Sequence, residues 1–255
     1  MNPSLDGVRL KIYRAQEHLD AILGVVRKFS QCHCELIPEK DLKANIVVLR
    51  ASLPEPPTSL GVIIGDFLYN VRSSLDHIVW QLVLANPPNQ PKEGKSAFPI
   101  CTTPENFAAQ VDRGRLAGMC DKAFAVVESL QPYGGRNPFL VTLDDLHNFD
   151  KHRMLHVTTA VADNTLIDWS GNGSIFVGNQ EMRNGAVFGN IGLSLDSPHA
   201  ERLLNMKMQG EATAFVAFDK PEAPSLAEFR VDTMLQDILD FVRDFLFPAF
   251  EPFFN

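Results

Sequence analysis

The fold of this chain is decided by one long apolar stretch, Leu60-Gly-Val-Ile-Ile-Gly-Asp-Phe-Leu-Tyr-Asn-Val-Arg-Ser-Ser-Leu-Asp-His-Ile-Val-Trp-Gln-Leu-Val-Leu-Ala85. Its apolar residues recur every three or four positions, which is typical of an amphipathic helix. The segment Pro54-Glu55-Pro56-Pro57 breaks the chain before it, and Thr58 or Ser59 can cap its first turn. We therefore predict a helix from about residue 60 to 85, with a broad apolar face.

Four more segments show helical spacing. They run over 5–29, from Thr103 to about residue 130, over 139–155, and from Ser225 towards the C-terminus. Thr103 is followed by proline, which is typical of a helix start. Gly114 and Gly118 weaken the pattern in that helix.

Strand patterns occur in two parts of the chain. The segments 32–37 and 44–51 read as a pair of strands around a polar turn, and 156–219 holds β-branched and aromatic runs separated by Gly and Asn. This order predicts an α+β fold: a helical, bundle-like N-terminal portion with a small strand pair, then an antiparallel β-meander and a C-terminal helix. We expect one domain over 1–255. Its only candidate seam lies near residue 160, between a mainly helical part (1–160) and a β-rich part with the closing helix (161–255).

Composition limits the classes of function. The chain has 255 residues and a formal net charge of −8, which disfavours a broadly basic nucleic-acid-binding surface. No apolar run approaches the roughly 20 residues of a membrane span, and the N-terminus does not resemble a secretory signal. The four cysteines fit reduced thiols in a cytosolic protein. We predict a cytoplasmic protein with no membrane partner.

The first polar cluster lies on the 60–85 helix. At about 100° per residue, Asp66, Asn70, Ser73 and His77 fall in one narrow sector of that helix. Arg72 and Asp76, four residues apart at the edge of this stripe, can form an ion pair. The stripe contains no Lys or Glu, whereas solvated helix faces favour such long charged side chains. The cluster therefore indicates the solvated side of an amphipathic helix with a surface ion pair, a partly buried polar network, or a substrate site.

The second polar cluster lies in the 139–155 helix, in the stretch Asp144 to His156, which carries three of the seven histidines. One interpretation is a capped helix end where Lys151, Arg153 and His156 offset the helix dipole. A sharper hypothesis places Asp150, His152 and Arg153 opposite the Arg72–His77 region. Such a site has the groups for metal-independent phosphodiester cleavage, because His transfers protons near neutral pH and Arg neutralises developing phosphate charge.

A metal site is the third interpretation of these histidines. His152 and His156 are four residues apart on a helix, and His77 or His147 would be a further ligand of a metal-dependent hydrolase. The spacing lacks a specific signature such as His-Glu-x-x-His. We therefore predict no bound metal and no cofactor.

The segment Arg72-Ser-Ser-Leu-Asp-His77 resembles the Arg-x4–6-His motif of HEPN-type proteins, helical domains that include metal-independent ribonucleases. The stretch Gly65 to His77, together with Asp150-Lys-His-Arg153, also resembles a group of bacterial proteins, a likeness that implies no particular activity. The HEPN likeness implies a homodimer with facing Arg–His pairs. It implies that Arg72 binds the phosphate and that His77 is the acid or base.

Two functions follow as hypotheses. The first is an RNA endonuclease, hence a hydrolase, that acts on RNA as a homodimer without metal. Its candidate catalytic residues are Arg72, His77, Asp76, Asp150, His152 and Arg153, and its candidate substrate-binding residues are Asn70, Ser73 and Lys151. The alternative is a non-catalytic binding or regulatory protein in which the Arg, His and Asp clusters form a structural polar network.

Overall fold

The structure, a computed structural model, describes residues 3–29, 31–161, 165–169, 173–177, 182–183, 185, 187–198, 200–205, 208–218 and 230–254. Its contacts divide the chain into two compact units. The helical unit comprises Met1–Ile22, Gly61–Leu155 and Asp232–Asn255, and the sheet unit comprises Leu23–Leu60 and His156–Val231. The predicted α+β class is confirmed. The single domain over 1–255 stays a prediction.

The described helices are α1 (Asp6–Val26), α2 (Ser59–Leu84), α3 (Pro104–Asp112), α4 (Asp121–Ser129), α5 (Pro138–His152), α6 (Ala200–Leu204) and α7 (Val231–Asp240). A π-helical segment, Phe241–Leu246, and a 3-10 segment, Phe247–Phe253, continue α7. The bounds of α1, α2 and α5 agree with the predicted segments to within a few residues. The predicted start of the last helix at Ser225 lies outside the described residues.

Helices α1 and α2 of the helical unit pack in an antiparallel orientation. Ser4 N donates to Gln81 Oε1 at 3.0 Å, and the Lys11 ammonium lies 5.5 Å from the centre of the Tyr69 ring, so α1 and α2 run in opposite directions. At the other side of α1, Gln16 Oε1 accepts from Arg243 Nη1 at 3.1 Å. The closing helix therefore belongs, by its contacts, to the helical unit.

Glycines allow α2 to approach α5 closely. A Cβ on Gly61 would lie 2.0 Å from the backbone oxygen of Leu155, and a Cβ on Gly65 would lie 2.6 Å from Asp150 Oδ2. Only hydrogen fits at both positions. These contacts belong to the antiparallel alignment of α2 and α5, which also places Asp144 of α5 beside Arg72 of α2.

The predicted helix from Thr103 to about residue 130 is two helices. Its start is confirmed, because the Thr103 side chain accepts from Asn106 N at 3.3 Å. Gly114 and Gly118 adopt φ values of +84° and +90°, a left-handed backbone that ends α3 and separates it from α4. Helical spacing of the apolar residues continues across this break, so periodicity alone did not show it.

The sheet unit contains strands β1 (Gln31–Asp41), β2 (Ile46–Ser52), β3 (Val157–Val161), β4 (Thr165–Trp169), β5 (Gly173–Val177), β6 (Met182–Arg183), β7 (Val187–Ser194) and β8 (Met208–Phe218). All pairings are antiparallel, as predicted. Six strands form one sheet in the order β6-β3-β8-β1-β2-β7, and β4 pairs with β5. The early strand pair is therefore part of the same sheet as the later strands, and the strand order is not the sequential order of a meander.

Alternation of apolar residues explains the burial of the early strands. Val47, Leu49 and Ala51 share one face of β2 and are at most 4% exposed, whereas Arg50 on the other face pairs with Glu39 at 2.8 Å. Across β1, the buried Leu36 is opposite Ala51.

No membrane-spanning helix is found, since each described helix is too short or too polar to cross a membrane.

Candidate functional site

The polar residues of α2 contact three different parts of the helical unit. Asp66 and Asn70 lie in the N-terminal half of α2, where Asp66 is close to Asp150 of α5. Arg72 and Asp76 face the loop before α3 and the middle of α5. His77 faces α1. The stripe that looked continuous on a helical projection is therefore divided by its neighbours.

Arg72 and Asp76 form the best-connected of these places. Arg72 Nη1 donates to Asp76 Oδ1 at 2.6 Å, and Arg72 Nη2 donates to the backbone oxygen of Phe98 at 2.8 Å. The backbone N–H of Phe98 donates to Asp76 Oδ1 at 2.9 Å. The two side chains thus satisfy both backbone polar groups of Phe98, whose ring is fully buried. The predicted ion pair of Arg72 with Asp76 is confirmed.

Asp144 of α5 completes this group, which we call the Arg72 cluster (Arg72, Asp76, Phe98 and Asp144). Asp144 Oδ1 lies 3.8 Å from Arg72 Nε, and Asp144 Oδ2 accepts from Asn148 Nδ2 at 2.9 Å. The Arg72 side chain is only 15% exposed. An arginine this buried, with three oxygen partners, ties α2, the loop and α5 together.

His147 lies in α5 close to the Arg72 cluster. It is 7% exposed, and its Nδ1 has no hydrogen-bond partner in the part of the chain that the structure describes. Burial, followed by the positive charges of Lys151 and Arg72, lowers the pKa of His147 to about 4, against the opposing effect of Asp76. The imidazole is therefore neutral at pH 7 and belongs to the interior.

His77 occupies a different environment. It is exposed, and a Cβ on Gly7 of α1 would lie 3.6 Å from His77 Nδ1. Partial burial lowers the pKa of His77, the positive charge of Lys11 lowers it as well, and Asp76 opposes both. His77 thus presents a mostly neutral imidazole to solvent between α1 and α2.

Asp150 lies with Asp66 rather than with the Arg72 cluster. Its carboxylate packs against Gly65, and burial, followed by the negative charge of Asp66, raises the pKa of Asp150. The Asn70 side chain donates to the backbone oxygen of Asp66 at 2.8 Å, a bond within α2. Ser73 is half-buried.

The remaining predicted residues lie at the C-terminal end of α5. The side chains of Lys151, His152 and Arg153 are exposed, and the backbone N–H of Arg153 donates to the Phe149 oxygen at 3.0 Å, which closes the helix. In the part of the chain that the structure describes, none of the three forms a hydrogen bond or an ion pair with Arg72 or His77. The expected meeting of His152 and Arg153 with Arg72 and His77 is therefore not found within one chain.

The described histidines lie in separate environments. Over the described ranges, no group of three or more His, Cys, Asp or Glu side chains is placed to hold a metal ion. His147 is buried beside Arg72, whereas His152 is exposed at the helix end.

Gln131 was missed by sequence reasoning. It is fully buried, its Oε1 accepts from Cys101 N at 2.9 Å, and its Nε2 donates to the backbone oxygens of Pro99 and Val127 at 2.9 and 3.0 Å. With the Arg72 cluster, it holds the 98–102 loop from both sides. A polar residue directly after a helix and before Pro132 was the available signal, but it is common in exposed turns as well.

A pocket opens beside this loop. Its volume is about 320 Å³, and it lies between the 98–102 loop, one face of α3, and Val141, Asp144 and Asp145 of α5. Burial, followed by the negative charge of Asp144, raises the pKa of Asp145. The Arg72 cluster therefore supports one wall of a concave, polar surface.

Comparison with known proteins identifies no relative. No family model matches the chain, and searches of curated proteins and of solved structures return no match.

Proposed function

We propose that this chain is a non-catalytic binding protein in which the Arg72 cluster is a structural polar network. The observation that carries the proposal is the coordination of Arg72, whose guanidinium already has Asp76, Asp144 and the Phe98 oxygen as partners. An arginine that neutralises a phosphorane must present free N–H groups to the phosphate. Binding RNA through Arg72 would require the loss of these internal partners. The same contacts hold the loop before α3 in place.

The placement of His77 supports the same proposal. Residues 72 and 77 are separated by about 140° around a helix. Arg72 contacts α5 and the loop before α3, whereas His77 lies against α1. Within one chain the two side chains therefore do not contact the same phosphodiester.

The decisive experiment is an RNA-cleavage assay in EDTA with a fluorogenic single-stranded RNA. The wild-type chain is expected to leave the RNA intact at high protein concentration. The variants are Arg72→Ala and His77→Ala, with Arg14→Ala as the control, because Arg14 forms an exposed pair with Glu17. Cleavage that persists in EDTA, survives Arg14→Ala and disappears in both other variants, while circular dichroism shows them folded, would overturn the proposal.

A ribonuclease remains the second candidate, on one observation. His77 is exposed and its pKa is lowered, so a proton-accepting imidazole is available at neutral pH. Because Arg72 and His77 diverge within one chain, this function requires a homodimer whose second chain completes the site. A monomer by light scattering at assay concentration, with no cleavage, would exclude it.

A further inference from the structure

Two opposite charges in the pocket beside the 98–102 loop lack internal partners. Asp145 projects from α5 and Arg113 from the end of α3, and both line the pocket. In the part of the chain that the structure describes, neither side chain forms a hydrogen bond or an ion pair, including one with the other. Both side chains are exposed, and their charged atoms lie more than 4.0 Å apart.

The neighbouring carboxylates Asp144 and Asp145 differ in whether they have a partner within the chain. Asp144 has Arg72 and Asn148 as partners, so its charge is offset from the interior side. Asp145 carries no such compensation, and its raised pKa reflects burial and the repulsion of Asp144. A ligand cation at Asp145 would favour its charged form against both effects.

The rest of the lining fits a small polar molecule. Thr102, Asn106 and Gln110 supply hydroxyl and amide groups, while Ile100, Ala109 and Val141 supply apolar contact. The volume of about 320 Å³ lies at the small end of the range for ligand pockets. The loop that forms one wall is held by hydrogen bonds from the Arg72 cluster and Gln131, so the protein's own contacts fix that wall.

We propose that this pocket binds a small zwitterion of the amino-acid type, whose ammonium group pairs with Asp145 and whose carboxylate pairs with Arg113. The inference rests on the proposed binding function and specifies its ligand. A guanidinium offers a carboxylate two parallel N–H donors, and a carboxylate accepts an ammonium in charge-assisted bonds. The polar lining between them recognises the remainder of the ligand.

The test begins with thermal unfolding of the full chain in the presence of each standard amino acid, because a ligand that binds only the folded state raises the Tm. Any amino acid that raises the Tm is titrated calorimetrically, beside its decarboxylated amine. We expect at least one amino acid to bind, and its amine to bind about tenfold more weakly because the contact with Arg113 is lost.

Variants then locate the site. Asp145→Asn and Arg113→Gln are each expected to weaken binding about tenfold or more. Ala109→Phe fills the pocket from an exposed helical position and is expected to abolish binding without a change in charge. Asp237→Asn, an exposed carboxylate on α7, makes the same charge change as Asp145→Asn and is expected to leave the affinity unchanged.

Three results would overturn the inference. They are the absence of binding by every amino acid, equal binding of the amine, and binding that is unaffected by both Asp145→Asn and Ala109→Phe. None of them is an RNA-cleavage result, so failure here is distinguishable from failure of the proposed function.

Discussion

Arg72 and His77 lie five residues apart on α2 and contact different neighbours: Arg72 bonds to Asp76 and the Phe98 backbone, while His77 lies against Gly7 of α1. The motif that joins them in sequence therefore does not bring them together in the fold. The contacts of Arg72 have a testable consequence for the stability of the fold, and those of His77 have one for the pKa of its imidazole.

Arg72→Ala is expected to lower the free energy of unfolding by about 2–4 kcal/mol, because it leaves Asp76 and the Phe98 oxygen without their partner in a mostly buried place. Arg14→Ala breaks an exposed pair with Glu17 and is expected to cost less than about 1 kcal/mol. Urea unfolding followed by far-UV circular dichroism compares the two. Equal losses would mean that the Arg72 cluster is not a structural network.

The titration of His77 is expected to respond to its charged neighbours in opposite directions. Lys11→Gln removes a positive charge and should raise the pKa of His77, whereas Asp76→Asn removes a negative charge and should lower it further. Histidine ring protons followed by NMR across the titration report both changes. Shifts in the same direction would contradict the assigned neighbours.

His147 should make stability depend on pH in acid. Its pKa is about 4 when folded and 6.5 in the reference state, so between these values the unfolded chain binds more protons. The contribution of His147 to the free energy of unfolding is therefore fully present above pH 6.5. It falls as the pH is lowered towards 4, by on the order of 3 kcal/mol in total.

His147→Leu removes this titration and is expected to flatten the pH dependence of unfolding over that window. His152→Leu, at an exposed position, serves as the matched control and should leave the slope as it is. Chemical unfolding at several pH values measures both slopes. An unchanged slope in His147→Leu would show that other groups cause the acid sensitivity.

The close approach of α2 and α5 predicts a difference between glycines. Gly61→Ala is expected to cost about 1–3 kcal/mol, because the new methyl group would overlap the Leu155 backbone oxygen, which cannot rotate away. Gly24→Ala in α1 meets no described atom within 4 Å, and it should stabilise the chain by up to about 1 kcal/mol through helix propensity. Urea unfolding of the two variants tests the sign of each effect.

Local patterns determined much of what was predicted correctly. The spacing of apolar residues located α1, α2 and α5, and Thr103 before Pro104 located the start of α3. The ion pair of Arg72 with Asp76 followed from their separation of four residues on a helix. All of these depend on atoms within one or two helical turns, which the sequence specifies directly.

Only the tertiary structure decided which polar groups share a neighbourhood. The placement of Asp144 at Arg72 and of Asp150 at Gly65 depends on how α2 and α5 approach each other. The placement of the Phe98 backbone at Arg72 and of Gln131 at the 98–102 loop depends on how that loop packs against α2 and the residues after α4. The same holds for the sheet, in which β1 lies between β2 and β8, a strand more than 150 residues later in the chain. A helical projection gives the direction of a side chain but not the element that it meets, because that element is fixed by long-range packing. The sequence by itself therefore determined α1, α2 and α5 and the polar stripe of α2, and the packing of the helices divided that stripe into a buried network, a carboxylate pair and an exposed histidine.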